Sequence, residues 1–257
     1  MTETREVPHI DLREVTKRYG SAQPVLENIS LNVRKGEFVS IIGPSGCGKS
    51  TILKLVSGLT PITSGTLLVD GMTPANAREI VSFIFQDPTL LPWRTVAKNV
   101  ALALELDRSP RDTRVDRVNA LLELVGLSHV AKLYPRQLSG GMKMRVSIAR
   151  ALASKPRILL MDEPFAALDE MSRDRLNEEL LRLREELNWT VLFVTHSVAE
   201  AVYLSDRIIV LAPHPGRVVH EITIDLPKPR DARLRSSPAM DDCIAIVSRA
   251  LRGAHTR

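Results

Sequence analysis

The chain carries only two cysteines in 257 residues, Cys47 and Cys243, and they stand far apart. That pair argues against a disulfide framework and fits a reducing cytosol. No apolar run approaches the roughly 20 residues that span a bilayer, so a transmembrane helix is not expected. The first residues, Met1-Thr2-Glu3-Thr4-Arg5-Glu6, are polar and carry acids, with no apolar stretch behind them. They do not read as a secretory signal. A dense basic run is also missing, although the formal charge is +5. The nearest approach is Lys228, Arg230, Arg233 and Arg235, interrupted by Asp231. With no helix-turn-helix, zinc or RNA-recognition pattern, the sequence does not predict a nucleic-acid partner. The basic residues read instead as a solvated surface. Internal repeats and low-complexity tracts are absent too. The length suits one compact unit or a core with an inserted subdomain, with roughly 70–75% of the unfolded surface buried.

What is present is a pair of phosphate-binding patterns. Gly43-Pro44-Ser45-Gly46-Cys47-Gly48-Lys49-Ser50-Thr51 fits G-x-x-x-x-G-K-[ST]. Its glycines allow a tight turn that aims backbone N–H groups at phosphate oxygens. Lys49 can reach the outer phosphates, and the Ser50 hydroxyl can ligate Mg²⁺. The run 38–42 before it is apolar and β-branched, as a buried parallel strand should be, and 51–57 after it reads as a helix closed by Gly58. The order strand, loop, helix is what a nucleoside triphosphate site requires. Cys47 lies inside this loop, where N–H groups and a helix N-terminus favour negative charge. Its thiol is expected to ionise readily and to be open to alkylation, while its native role reads as a small residue in a tight turn.

The second pattern is Leu138-Ser139-Gly140-Gly141, a serine and two glycines opening another helix. One nucleotide does not need two such caps from one chain. Two copies facing head to tail would use both.

These segments together resemble the ATP-binding subunit of ABC transporters, and the resemblance covers nearly the whole chain. It implies an α/β fold: a P-loop NTPase cassette with a mixed-sheet core and an inserted α-helical subdomain. Ile158-Leu159-Leu160-Met161-Asp162-Glu163 resembles the Walker B strand, with Asp162 holding Mg²⁺ and Glu163 as general base. Gln86, behind the strand 81–85, is similar to the glutamine that senses Mg²⁺ and the γ-phosphate. Asp169, in Ala167-Leu168-Asp169, resembles the loop residue that crosses the dimer interface. His196 resembles the switch histidine at the γ-phosphate, and Tyr19 the aromatic that stacks on adenine. Met142 departs from the family's usual signature glutamine. Phosphate binding by the N–H groups of 139–141 does not depend on that side chain.

The resemblance implies an ATPase, with ATP and Mg²⁺ as ligands, working as a homodimer under two integral-membrane permease subunits. A substrate-binding protein would feed them, with the cassette on the cytoplasmic face of the inner membrane. A basic surface there would face anionic lipid headgroups. Met142 and the tail motifs Pro215-Gly216-Arg217 and Asp225-Leu226-Pro227-Lys228-Pro229-Arg230 resemble the nitrate, taurine and alkanesulfonate importers. An importer for a pyrimidine or thiamine precursor, and an exporter or lipid transporter, are the alternatives. A soluble relative acting on DNA or ribosomes would need a coiled-coil insertion or a second cassette, and the sequence has neither.

Periodicity predicts strands at 10–15, 29–33, 38–42, 66–70 and 81–85. It predicts a helix through Val115, Val118, Leu121, Leu122 and Val125, and another through Met171, Leu176, Leu180, Leu183 and Leu187. The expected division is a core at 8–89 and 156–212, a helical subdomain at 90–155 and a C-terminal extension at 213–257, all within one domain, 8–257. The extension reads as a strand over 218–225 and a helix with Met240, Ile244, Val247 and Leu251 on one face. Leu90-Leu91-Pro92-Trp93 is the expected contact for a membrane subunit, with Trp93 itself either core or contact.

Overall fold

A computed structural model of the chain describes residues 8–107 and 110–255; the polar start at 1–6 lies outside them. The first half runs β1 (Ile10–Lys17), β2 (Leu26–Val33), β3 (Phe38–Ile42), α1 (Lys49–Val56), β4 (Ser64–Val69) and β5 (Val81–Ile84). Helices α2 (Val96–Val100), α3 (Leu102–Leu106), α4 (Arg111–Leu124) and α5 (Gly140–Ala153) follow. The chain then alternates through β6 (Ile158–Asp162), α6 (Glu170–Leu187), β7 (Thr190–Val194), α7 (Val198–Leu204) and β8 (Arg207–Ala212). It ends with β9 (Arg217–Thr223) and α8 (Pro238–His255).

Two sheets form. A three-stranded antiparallel sheet has the order β2-β1-β4, and a six-stranded sheet has the order β5-β6-β7-β3-β8-β9. Every pair in the larger sheet is parallel except β8 with β9. β3, β7 and β8 are buried along their whole length. That is why their sequences are mostly apolar rather than alternating, with Ser40, Thr190 and Arg207 the exceptions: both faces of a parallel sheet are covered. β9 lies at the sheet's edge and mixes half-buried with exposed residues.

The helix periodicity marks the right faces but overreaches at their margins. Leu176, Leu180 and Leu183 are in the core, whereas Met171 is 69% and Leu187 43% exposed. Those two occupy the first and last turns of α6, beyond its contact with the core. Val118, Leu121, Leu122 and Val125 are buried, but Val115 is exposed and lines an open notch with Ala97 and Ala101.

The basic residues of the tail are only partly the solvated surface the sequence suggests: Lys228 and Arg233 are exposed, Arg230 and Arg235 are not. Lys228 Nζ donates to Asp206 at 2.7 Å. Arg230 is only 8% exposed and donates to the carbonyls of Tyr203 and Ser205, each at 2.9 Å. Its guanidinium thus satisfies carbonyls left open at the C-terminus of α7. Arg235 lies 3.8 Å over the Tyr203 ring and pairs with Asp174 at 2.8 Å. Among the four, Lys228 and Arg233 are exposed, Lys228 while bonded to Asp206. The cations clasp the extension onto the core.

Asp206 is the shared acceptor of this clasp, taking the Phe38 N–H at 2.9 Å, the Arg184 guanidinium and the Lys228 ammonium. Burial alone would raise its pKa, but the bonds from Lys228, the Phe38 N–H and Arg184 outweigh burial and depress it. A depressed carboxylate stabilises the fold fully above its ordinary value of 3.8 and loses that effect as pH falls through the folded value. At neutral pH, Asp206→Ala should therefore cost about 2–4 kcal/mol, because Arg184 is left half-buried without its partner. Calorimetry should show a fall in Tm of roughly 5–12 °C for a chain of this size.

Candidate functional site

Parallel pairing brings one end of β5, β6, β7 and β3 to one edge. Ile84 is level with Met161, Asp162 with Val194, and Ile41 with Val194. The segments leaving that edge carry Gln86, Asp162 with Glu163, His196, and the loop that opens at Gly43.

The loop wraps the start of α1. Gly48 is its N-cap at φ 95°, a conformation that side-chained residues avoid, and no side chain caps the helix. The cap is left to an anion. Gly46 is also left-handed, with open space where a Cβ would stand. Gly43 is needed for closeness: a Cβ there would lie 2.8 Å from both Cys47 Sγ and the Leu211 carbonyl. Lys49 Nζ folds back to the carbonyls of Gly43 and Pro44 at 2.9 and 3.0 Å, so its ammonium lies over the loop bounded by Pro44, Ser45 and Gly46. Thr51 continues the first turn of α1, half-buried.

Ser50 Oγ donates to Asp162 Oδ1 at 2.8 Å. Burial pushes Asp162 above the ordinary carboxylate range, and the neighbouring Glu163 adds to this; the Ser50 bond, Lys54 and Lys49 oppose it. An all-oxygen pair beside a triphosphate-type loop suits Mg²⁺. Next in the chain, Glu163 has φ 44°, a strained value for a residue with a side chain. Its N–H is tied to the Val194 carbonyl at 2.9 Å, and its carboxylate meets His196 Nδ1 at 3.2 Å. Tyr19, 48% exposed, lies on the turn between β1 and β2 with the Lys17 ammonium 4.7 Å from its ring centroid. The same segment returns past Gly48, where Leu26 and the Val25 carbonyl leave no room for a Cβ.

A second cluster gathers the other predicted residues. Ser139 caps α5 by accepting the Met142 N–H at 3.3 Å. Gly140 abuts Leu168, and Gly141 abuts Ser172. Asp169 caps α6 by accepting the Ser172 N–H at 2.9 Å, and bonds from the Ser172 side chain and then its N–H lower the Asp169 pKa. Met142 itself packs against the core. Ser139 and Gly140 face solvent.

Three supports of the site escape sequence reasoning. Arg150 holds the loop after Gln86 through the carbonyls of Thr89 and Pro88, at 2.9 and 2.8 Å. Asn99, fully buried, bonds the N–H and carbonyl of Leu91 and the carbonyls of Arg94 and Thr95. That fixes the turn around Trp93, which is 72% exposed rather than core. Gly216 is the third: a Cβ there would stand 2.1 Å from the Cys47 carbonyl. Its N–H reaches the Val25 carbonyl at 2.9 Å, and its carbonyl accepts the Glu27 N–H at 3.0 Å. The five-residue helix of Asn99 also carries Lys98, so its sequence does not mark Asn99 as buried. For Arg150 and Gly216 the contact is with distant backbone, which no local pattern reveals.

Cys47 corrects an expectation. Its side chain is fully buried, and burial raises the thiol pKa despite the pull of Lys49 and the loop N–H groups. The local field is as expected, but the Sγ points into the core beside Gly43 rather than toward the helix mouth.

The family profile described as "ABC transporter" matches residues 26–166. The chain is 48% identical over 223 residues to the aliphatic sulfonates import ATP-binding protein SsuB 1 of Xanthomonas axonopodis pv. citri, covering 86% of this chain and 88% of that one. It is 40% identical over 252 residues to the nitrate import ATP-binding protein NrtD of Synechocystis sp., covering 96% and 95%. Its fold matches a dimeric ATP-binding cassette in a post-hydrolysis state bound to ADP and Pi, with TM-score 0.75 and 36% identity over 85% of this chain and 100% of that one.

Two predictions test these supports. Gly216→Ala must push the Cys47 carbonyl, and with it the phosphate loop, out of place. ATP affinity by calorimetric titration should fall roughly 10- to 100-fold, the scale of an ångström-level misplacement. N-ethylmaleimide followed by peptide mass mapping should label Cys243 well before Cys47 in the folded chain, and Cys47 only on denaturation.

Proposed function

The chain belongs to the ABC transporter family, and from that membership we propose that it is the ATP-hydrolysing subunit of an importer for nitrate or an aliphatic sulfonate. The cargo follows the roles by which relatives that match most of the chain are named. The chemistry rests on one observation above the rest. Glu163 is held in a left-handed backbone conformation at the strand end, its carboxylate against His196, directly after the Asp162 that meets Ser50.

In this reading the phosphate loop, residues 43–51, cradles the triphosphate with its N–H groups, and Lys49 turns from its two carbonyls to the outer phosphates. Tyr19 stacks on adenine. Mg²⁺ would be held by Ser50, Asp162 and Gln86 and would neutralise charge on the phosphates. Glu163 takes the proton of the attacking water, and His196 holds Glu163 in position on one side while facing the γ-phosphate on the other. The outward-facing cluster of Ser139, Gly140 and Gly141 completes the site of a second copy, with Asp169 at the junction. Residues 8–257 act as one cassette: the core is 8–89 and 156–212, the helical part 90–155 and the clasped extension 213–257.

Among the described residues no helix is long and apolar enough to cross a membrane. The reading places a homodimer at the cytoplasmic face of the inner membrane, under two permease subunits supplied by a binding protein. The exposed Trp93, on the turn that Asn99 braces, is the contact offered to a permease.

Glu163→Gln should keep ATP binding but slow hydrolysis by about 10²- to 10⁴-fold, the usual contribution of a positioned base, and should trap an ATP-bound dimer visible by size-exclusion chromatography. A mutant that hydrolyses ATP at the parent rate removes Glu163 from that role. Ser139→Arg and Lys49→Ala should each be inactive alone, yet regain part of the activity when mixed, because one mixed dimer keeps one complete site. Uptake of radiolabelled nitrate or sulfonate by cells with and without this chain tests the cargo; uptake that does not depend on the chain removes that cargo.

A further inference from the structure

The loop carrying Asp169 and the loop carrying His196 leave different elements, yet buried side chains join them. Arg173, on the first turn of α6, donates to the Leu168 carbonyl at 3.0 Å, one residue before Asp169. The same guanidinium lies 3.4 Å from Glu200 Oε1. Glu200 Oε2 accepts the Thr195 hydroxyl at 2.5 Å, one residue before His196. Thr195 Oγ1 in turn accepts the Ser197 N–H at 3.0 Å, so His196 sits inside a turn closed by that hydroxyl. The Glu200 side chain is 8% exposed and Thr195 is 2% exposed. Neither loop can shift without disturbing the carboxylate between them. Burial raises the pKa of Glu200, and the Thr195 hydroxyl and the Arg173 cation oppose that rise.

We propose that Glu200 is a positioning residue: with Arg173 and Thr195 it ties the Asp169 loop to the His196 loop, so that the two are set together. The tie gives the geometry a consequence for turnover. A second copy seated against Asp169 presses on the Leu168 carbonyl, and the pair Arg173–Glu200 carries that constraint to the histidine that faces Glu163. This rests on the ATPase reading above, which assigns His196 and Asp169 their places.

The test is steady-state ATP hydrolysis by the full-length chain at varied ATP. Glu200→Gln keeps the shape and removes the charge; kcat should fall roughly 5- to 30-fold, with KM within about twofold. Arg173→Met should match it, and the double variant should be no slower than the worse single, since both break one tie. Losses that multiply, or a rise in KM with kcat intact, overturn the proposal. Should Glu200→Gln fail to melt cooperatively, Thr195→Val and Thr195→Ser take its place. The valine, lacking the hydroxyl, should show the same fall in kcat, and the serine should stay within about twofold of the parent. Equal rates for valine and serine overturn the tie. The parent and Glu163→Gln serve as references. An inactive parent sinks the ATPase reading itself; an active parent, a dead Glu163→Gln and an unaffected Glu200→Gln sink only the tie.

Discussion

The site exists because β7 lies between β6 and β3 and runs parallel to both. Neighbouring strands are about 4.8 Å apart, so the phosphate loop and the Asp162-Glu163 pair are set about two strand spacings from each other. That distance is closed by α1, whose first turn carries Ser50 back to Asp162. His196 leaves the strand in the middle and so arrives between them, against Glu163. The proposed chemistry needs a cation-binding oxygen pair, a base and a phosphate cradle within reach of one another. One register of one parallel triplet supplies all three. Slipping β7 by a residue would turn its side chains to the other face and send His196 away from Glu163.

The loops around this edge are held less by ion pairs than by side chains that seize backbone. Arg150 grips two carbonyls of the loop beyond Gln86, Asn99 bonds a whole turn, and Arg230 closes the end of α7. Gly216 does the same with no side chain at all, by letting one backbone lie against another. Such bonds fix direction as well as distance. They explain how exposed loops keep the geometry that a phosphate site demands.

What could be read from the sequence was whatever is local in the chain. The glycines and Lys49 of the phosphate loop, the apolar run that ends in Asp162 and Glu163, and the serine before Gly140 each declare themselves within a few residues. The structure sets them where those patterns imply. What could not be read was whatever depends on a distant partner. Cys47 has the expected field of N–H groups, but its burial is decided by Gly43 and Leu211, and burial wins. Arg230 and Arg235 look like surface charge until the end of α7 and Asp174 come into view. Met171 and Leu187 keep the helix period yet stand beyond the core, because period alone does not say where a helix stops touching its neighbours.

The antiparallel strand β9 has a role in keeping the molecule to itself. β8 is buried from end to end and apolar after Arg207, and β9 pairs antiparallel along its outer side from Arg207 to Ala212, with one irregularity between Val210 and Leu211. A chain cut after Ala212 would uncover that side as a straight, greasy template open to a strand of any passing molecule. β9 presents a different border, with Arg217, His220 and Glu221 exposed along it. The last strand thus guards solubility during synthesis and crowding. It follows that truncations of this chain should be judged by whether they clump before they are judged by what they catalyse.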